Sequence, residues 1–258
     1  MTLRFIDTHC HFDFPPFTGH ESASLAQAAQ AGVEKILVPG VSAERFDAIL
    51  SLARQYAEVY AALGLHPVAI HRHDDAAFDS LAKRLAQRPE KLVAVGEIGL
   101  DLYIENPQFA RQQALLDEQL RLAKRYDLPV MLHSRRTHDK LAQHLRRCAL
   151  ARTGVVHGFS GSLQQAERFV ALGYYIGVGG TISYKRASKT RNVIARLPLS
   201  ALLLETDAPD MPLFGYQGQP NRPERAAQVF AALCALRNEP AEQIAQALFA
   251  NTCRLFDL

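Results

Sequence analysis

What most constrains this chain is a regular alternation, along its whole length, of short apolar runs with segments of helical spacing. Eight such runs recur: Arg4 to His11, Glu34 to Val41, Val59 to His66, Leu92 to Leu100, Pro129 to Ser134, Gly154 to Phe159, Tyr174 to Gly180 and Leu202 to Asp207. Between them, Phe46, Ile49, Leu50 and Ala53 fall on one face of a helix predicted over Ser42 to Tyr56. Leu115, Leu116, Leu120 and Leu122 do the same over Pro107 to Tyr126. Pro107 in a first turn, Ser162 ahead of LQQAERFVALG and the closing Gly173 are helix boundaries of the ordinary kind. No Pro-, Gly- or Ser-rich linker divides the 258 residues, so the pattern predicts one α/β domain over residues 1–258. Strands that each hand over to a helix predict a (β/α)8 TIM barrel, a fold of about 250 residues.

A barrel places chemistry at the C-terminal ends of its strands. Of ten histidines, five stand there: His9 and His11 on the first run, His66 on the third, His133 on the fifth and His157 on the sixth. Glu97 and Asp101 end the fourth run, and Glu205 and Asp207 the eighth. Side chains alternate along a strand, so His9 and His11 project together while Cys10 turns toward the helices. Strand eight adjoins strand one in a closed barrel, which brings Asp207 to that pair. Taken singly, each histidine has a plainer job as a hydrogen-bonded core residue. Six nitrogen and oxygen donors from five strand ends are different: His9, His11, Glu97, His133, His157 and Asp207 would be costly to bury together without a cation. Such donors without thiolate suit Mg, Mn, Zn or Co. A second HxH, His71 and His73 in HRHDD, reads as a solvated loop away from this site.

Composition excludes other classes. Twenty-nine basic against 26 acidic residues leave a formal charge of +3 and no polybasic arm, so any nucleic-acid contact is local. No run approaches the roughly 18 apolar residues of a membrane span, and Arg4 and Asp7 break up any signal-peptide core. The expected location is the cytoplasm. Cysteines 10, 148, 234 and 253 are too scattered for a disulfide framework, and no CxxC marks a structural zinc.

The segments IDTHCHFD, LGLHP, GEIGLD, LPVMLHSR, HGFSGS, LLLETDAPD and NTCRLF, in this order and spacing, resemble the signature blocks of the TatD-type metal-dependent hydrolases, a branch of the amidohydrolase superfamily. The resemblance spans essentially the whole chain. It implies two divalent cations: one held by His9, His11, Glu97 and Asp207, the other by Glu97, His133 and His157, with Glu97 bridging. No lysine on strands four or five is available for the carbamylated bridge of some other branches. It further implies a magnesium-dependent deoxyribonuclease, often a 3′ to 5′ exonuclease, with relatives linked to RNA or to removing D-amino acids from tRNA. Glu97 and Asp207 would then be the catalytic carboxylates, Asp207 carrying the proton of the attacking water.

Other contacts follow from position. His66 can donate to a phosphate or base, Arg135 can fork onto a phosphate, and Ser160 or the backbone beside it can bind an anion. Asp7 and Glu205 can orient the imidazoles of His9 or His11 from behind. Phe12, Phe14 and Phe17 in the first loop, and Tyr184-Lys185-Arg186 in the seventh, combine π faces with charge as single-strand binders do. The run Pro220-Asn221-Arg222-Pro223-Glu224 departs from the family's basic-Asn-Glu-Pro wording and shifts its basic residue. The expected partners are DNA or RNA ends. The alternative keeps the cations but acts on a small ester, amide or phosphoester, and a non-catalytic barrel would be expected to have lost a ligand.

Overall fold

The computed structural model describes residues 3–258. Eight parallel strands form one sheet in sequence order: β1 (Phe5–Asp7), β2 (Val33–Pro39), β3 (Val59–Leu63), β4 (Leu92–Asp101), β5 (Val130–Arg135), β6 (Gly154–Val156), β7 (Tyr175–Val178) and β8 (Leu202–Leu204). Helices α1 (Glu21–Gln30), α2 (Phe46–Gln55), α3 (Asp75–Gln87), α4 (Phe109–Tyr126), α5 (His138–Cys148), α6 (Leu163–Ala171), α7 (Ser188–Arg196) and α8 (Ala226–Cys234) each follow the strand of the same number, and α9 (Ala241–Phe256) comes last. The sheet closes beyond the ends of β1 and β8. Thr8 N–H donates to the Leu204 carbonyl at 3.0 Å, Asp207 N–H to His9 at 2.8 Å, and His11 N–H to Ala208 at 2.7 Å.

Alternation along the strands builds two apolar layers. Ile6, Leu37, Ala62, Ala94, Met131, Val155 and Leu203 point into the barrel, with Tyr175 of β7 packed beside them. Neighbours such as Phe5, Val38, Leu63, Val95, Leu132, Val156, Ile176 and Leu204 point out against the helices. Leu255 and Phe256 of α9 join the inner layer, so the closing NTCRLF segment plugs the floor of the barrel. Asn251 fixes that plug by donating to the Leu199 and Leu202 carbonyls, both at 3.0 Å. With the floor filled, the open end is the one where the strands end.

Several strands stop short of the runs that predict them: β1 ends at Asp7, β3 at Leu63, β6 at Val156 and β8 at Leu204. On these four strands the site residues His9, His11, His66, His157 and Asp207 therefore stand just past the ladder, whereas Glu97 and His133 lie within β4 and β5. In two places the alternation is also reset. A bend at Thr8 follows Ile6, which points inward, and puts His9 rather than Thr8 into the site. A register shift between Gly96 and Ile98 does the same for Glu97. The helix starting at Ser162 is as expected, with a capping box in which Ser162 and Gln165 each accept from the other's backbone N–H. No helix among the described residues is long and apolar enough to cross a membrane.

Candidate metal centre

Glu97 is the hub. It is 1% exposed, and its two carboxylate oxygens face different groups of imidazoles. On Oε1 converge His157 Nε2 at 2.6 Å, His66 Nε2 at 2.9 Å and His133 Nδ1 at 3.0 Å. On Oε2 converge His9 Nε2 at 3.1 Å and His11 Nε2 at 3.7 Å, and Asp207 Oδ1 lies 3.6 Å from both of these nitrogens. The rings of His9 and His157 stack at 3.8 Å and 7°, joining the two halves. Gly99 makes the approach of β4 to β5 possible. It has φ +150°, and a Cβ there would lie 2.0 Å from the His133 carbonyl oxygen.

The donor set fits a cation. Asp101 Oδ2 accepts from His133 Nε2 at 2.8 Å, so a neutral His133 ring has only a lone pair left at Nδ1. That lone pair points at a carboxylate oxygen 3.0 Å away, an arrangement that is attractive only with a second proton on the ring or a cation shared by both. Electrostatics agree. Burial alone would raise the Glu97 pKa, yet His157, His66 and His9 around it hold it well below the usual carboxylate range. His157, which burial would lower, is instead pushed up to about 10 by Glu97 and by Asp207 and Glu205. Burial and the neighbouring Glu97 and Glu205 push Asp207 up to about 8 against the opposing influence of His157. Burial keeps His9 well below its ordinary value and His11 at about 4, so two neutral rings face Glu97 and Asp207, and positive charge is what that half of the pocket lacks. Ligand atoms of His9, His11 and Asp207 lie within 4.8 Å of one another, as do those of His66, Glu97 and His133.

His66 has a different chemistry from its neighbours. Its Nδ1 accepts from the Val68 N–H at 2.9 Å, which leaves the proton of the neutral ring on Nε2, facing Glu97. This is a donor aimed into the site. His73, expected in a solvated loop, is instead buried beneath it and bonds through Nε2 to the His66 carbonyl at 2.8 Å. The HRHDD stretch enters a 3-10 turn (Pro67–Arg72) that folds back under His66, whereas His71 is exposed. His71→Ala is therefore expected to match the parent. His9→Ala should lose bound metal, and His73→Ala should keep its metal while turnover falls several-fold as His66 loosens. Metal analysis and kcat on the three proteins check this, and metal loss in His71→Ala would contradict it.

The second tier departs from expectation. Glu205 makes no hydrogen bond to the rings of His9 or His11, although a carboxylate oxygen of it lies within 4.8 Å of ring nitrogens of both His9 and His157. Its Oε1 accepts from Gly158 N–H at 2.6 Å, and its nearest imidazole nitrogen is His157 Nδ1 at 3.8 Å, because β8 delivers it beside β6 and β7. Gly177 makes room for it, since a Cβ there would stand 2.3 Å from Glu205 Oε2. Gly177→Ala should accordingly cost about 1–3 kcal/mol by overpacking, seen as a lowered Tm; an unchanged Tm would mean that Glu205 moves freely. Asp7 acts on backbone rather than on a ring, accepting from Thr206 N–H at 2.9 Å, Thr206 Oγ1 at 2.5 Å and His9 N–H at 3.3 Å. It staples β1 to β8 beneath the site.

Of the residues named for substrate, Ser160 is exposed and leaves the capping of α6 to Ser162. Arg135 is exposed and lies over the Tyr103 ring at 3.7 Å. Phe12 and Phe17 are fully buried and stacked at 5.0 Å, so they pack the first loop, and Phe14 is covered by Arg45 at 4.4 Å. Asn221 is fully buried and donates to the Thr206 and Met211 carbonyls at 2.8 and 3.2 Å, strapping down the loop after β8. Arg222 turns to Gln27 of α1 at 3.3 Å. Sequence reasoning missed the contact from Asp101 to His133 and the burial of His73. The only signal for the first was its place at a strand end, and none marked the second.

The chain is 70% identical, over 100% of both chains, to YjjV of Escherichia coli K12, a metal-dependent hydrolase. The crystal structure of that TatD homologue superposes with a TM-score of 0.99, again over 100% of each chain. The deoxyribonuclease Tat-D of Schizosaccharomyces pombe is 33% identical over 81% of this chain and 73% of its own. The model of the TatD related DNases matches residues 6–257, and the chain belongs to that family of metal-dependent hydrolases.

Proposed function

We propose that this protein is a phosphodiesterase that hydrolyses DNA or RNA ends with two divalent cations. The division of the histidines between the two oxygens of Glu97 carries the reading. One cation would be held by His9, His11, Asp207 and Glu97 Oε2, the other by His133, His157 and Glu97 Oε1. When bound, such a pair supplies an acidified water and neutralises the phosphate oxygens it touches.

The protein's own groups do the rest. Asp207 takes a proton from the attacking water and returns it to the leaving oxygen as the P–O bond breaks. His66 donates from Nε2 to a phosphate oxygen, held in that tautomer by the Val68 N–H. Asp101 keeps the His133 proton on Nε2 and so leaves Nδ1 free to coordinate. Glu205 supports His157 from behind. The kinship with a deoxyribonuclease of fission yeast favours nucleic acid over a small ester or amide.

A screen of the purified protein tests this, using labelled single-stranded DNA and bis-p-nitrophenyl phosphate beside a panel of carboxylic esters and amides, each with added Mg, Mn, Co or Zn. Hydrolysis of the two phosphodiesters, abolished by a chelator, is expected. Turnover confined to carboxylic esters or amides would contradict it.

A further inference from the structure

One sector of the rim combines features that the metal centre does not use. Tyr103 lies just past β4, is 54% exposed, and carries the guanidinium of Arg135 at 3.7 Å and that of Arg136 at 4.6 Å from its ring centre. This stack is tied directly to the site. Tyr103 N–H donates to Asp101 Oδ1 at 2.7 Å, and Asp101 Oδ2 takes the His133 Nε2 proton. Strand register sets Asp101 opposite Arg135, yet both oxygens of Asp101 are committed elsewhere. Among the described residues, Arg135 and Arg136 therefore have no carboxylate within ion-pair distance, unlike Arg147 with Asp117 or Arg168 with Asp139 on the flanking helices.

The stack is also held in place. Arg136 has φ +61°, a left-handed conformation costly for a bulky residue. The buried Thr137 that follows pins the turn: its hydroxyl donates to the Leu100 carbonyl at 2.9 Å and meets Ser134 Oγ at 3.0 Å. Elsewhere, the exposed large apolar residues Val68, Leu102, Met211 and Phe214 also lie in loops after β3, β4 and β8, on the same open end.

We propose that Tyr103, Arg135 and Arg136 form a subsite for the nucleotide adjoining the scissile phosphate of a single strand. A base lies on the flat cationic stack, and the outward N–H groups of the two guanidiniums take the neighbouring phosphate. The subsite rests on the nucleic-acid reading above and adds to it the residues that grip the strand.

The test measures binding of a phosphorothioate-linked single strand, resistant to cleavage, to the metal-loaded protein by fluorescence anisotropy, alongside KM and kcat on ordinary single-stranded DNA. Tyr103→Ala is expected to weaken binding about 5- to 150-fold, the range of one base–aromatic stack. The loss should appear in KM more than in kcat, with Tyr103→Phe restoring affinity. Replacing both arginines with alanine should flatten the plot of log affinity against log salt by about 0.7, one single-strand phosphate contact. Arg196→Ala, an exposed residue at the far end of α7, should bind like the parent. Parental affinity and salt slope in the Tyr103 and double-arginine variants would overturn the subsite, as would a parent protein that binds no single strand. If the parent binds the strand through these residues but does not cleave it, the subsite stands and the nuclease reading falls.

Discussion

Glu97→Ala is expected to abolish hydrolysis and to lower bound metal more than any other single substitution. Both halves of the centre depend on this one carboxylate, since each oxygen faces its own group of imidazoles. Removing it leaves His133 and His157 without the carboxylate they share and His9 without its nearest one. Turnover should fall to the level of the chelated parent. Glu97→Gln, which keeps volume and one acceptor oxygen, should retain part of one metal equivalent at most. Two full equivalents of metal in an active Glu97→Ala protein would defeat the bridging role.

Asp207→Asn should separate chemistry from binding. Asparagine keeps one coordinating oxygen, and it tolerates the left-handed conformation that Asp207 adopts at φ +60°. The backbone bond from residue 207 to the His9 carbonyl is untouched, so fold and site geometry should survive. Metal content should drop modestly, while kcat falls roughly 10²- to 10⁴-fold, the scale of a lost proton carrier. A base gains activity as it deprotonates with rising pH, so the acidic limb of the kcat profile should also disappear in the variant. Near-parental turnover with metal bound would remove Asp207 from the proton path.

The barrel was legible because eight apolar runs and their helices repeat a pattern that only one closed sheet satisfies. His133 and His157 were legible too, because they keep the inward phase of Met131 and Val155 on their own strands. His9, His11 and Glu97 were placed by strand position, but strict alternation from Ile6 or Ala94 would have turned them outward. The bend at Thr8 and the shifted register at Gly96 bring them in, and neither is visible in a hydropathy pattern. His73 was misjudged because its polar neighbours hide a fold-back under His66, which depends on a backbone carbonyl that sequence cannot place. The bond of Glu205 to the Gly158 N–H and its lean toward His157 were not legible, because parity gives the face of a strand and says nothing of which neighbouring strand the side chain leans toward. Nothing in the sequence singles out Tyr103, whose contact with Arg135 and Arg136 depends on how the turns after β4 and β5 fold.

The most direct measurement is an anomalous diffraction map of crystals soaked in manganese. The account predicts two peaks about 3.5–4 Å apart, one beside His9, His11 and Asp207, the other beside His133 and His157, with Glu97 between them and none ligated by His66 Nε2. A single peak, or a pair in which Glu97 touches only one ion, would contradict it.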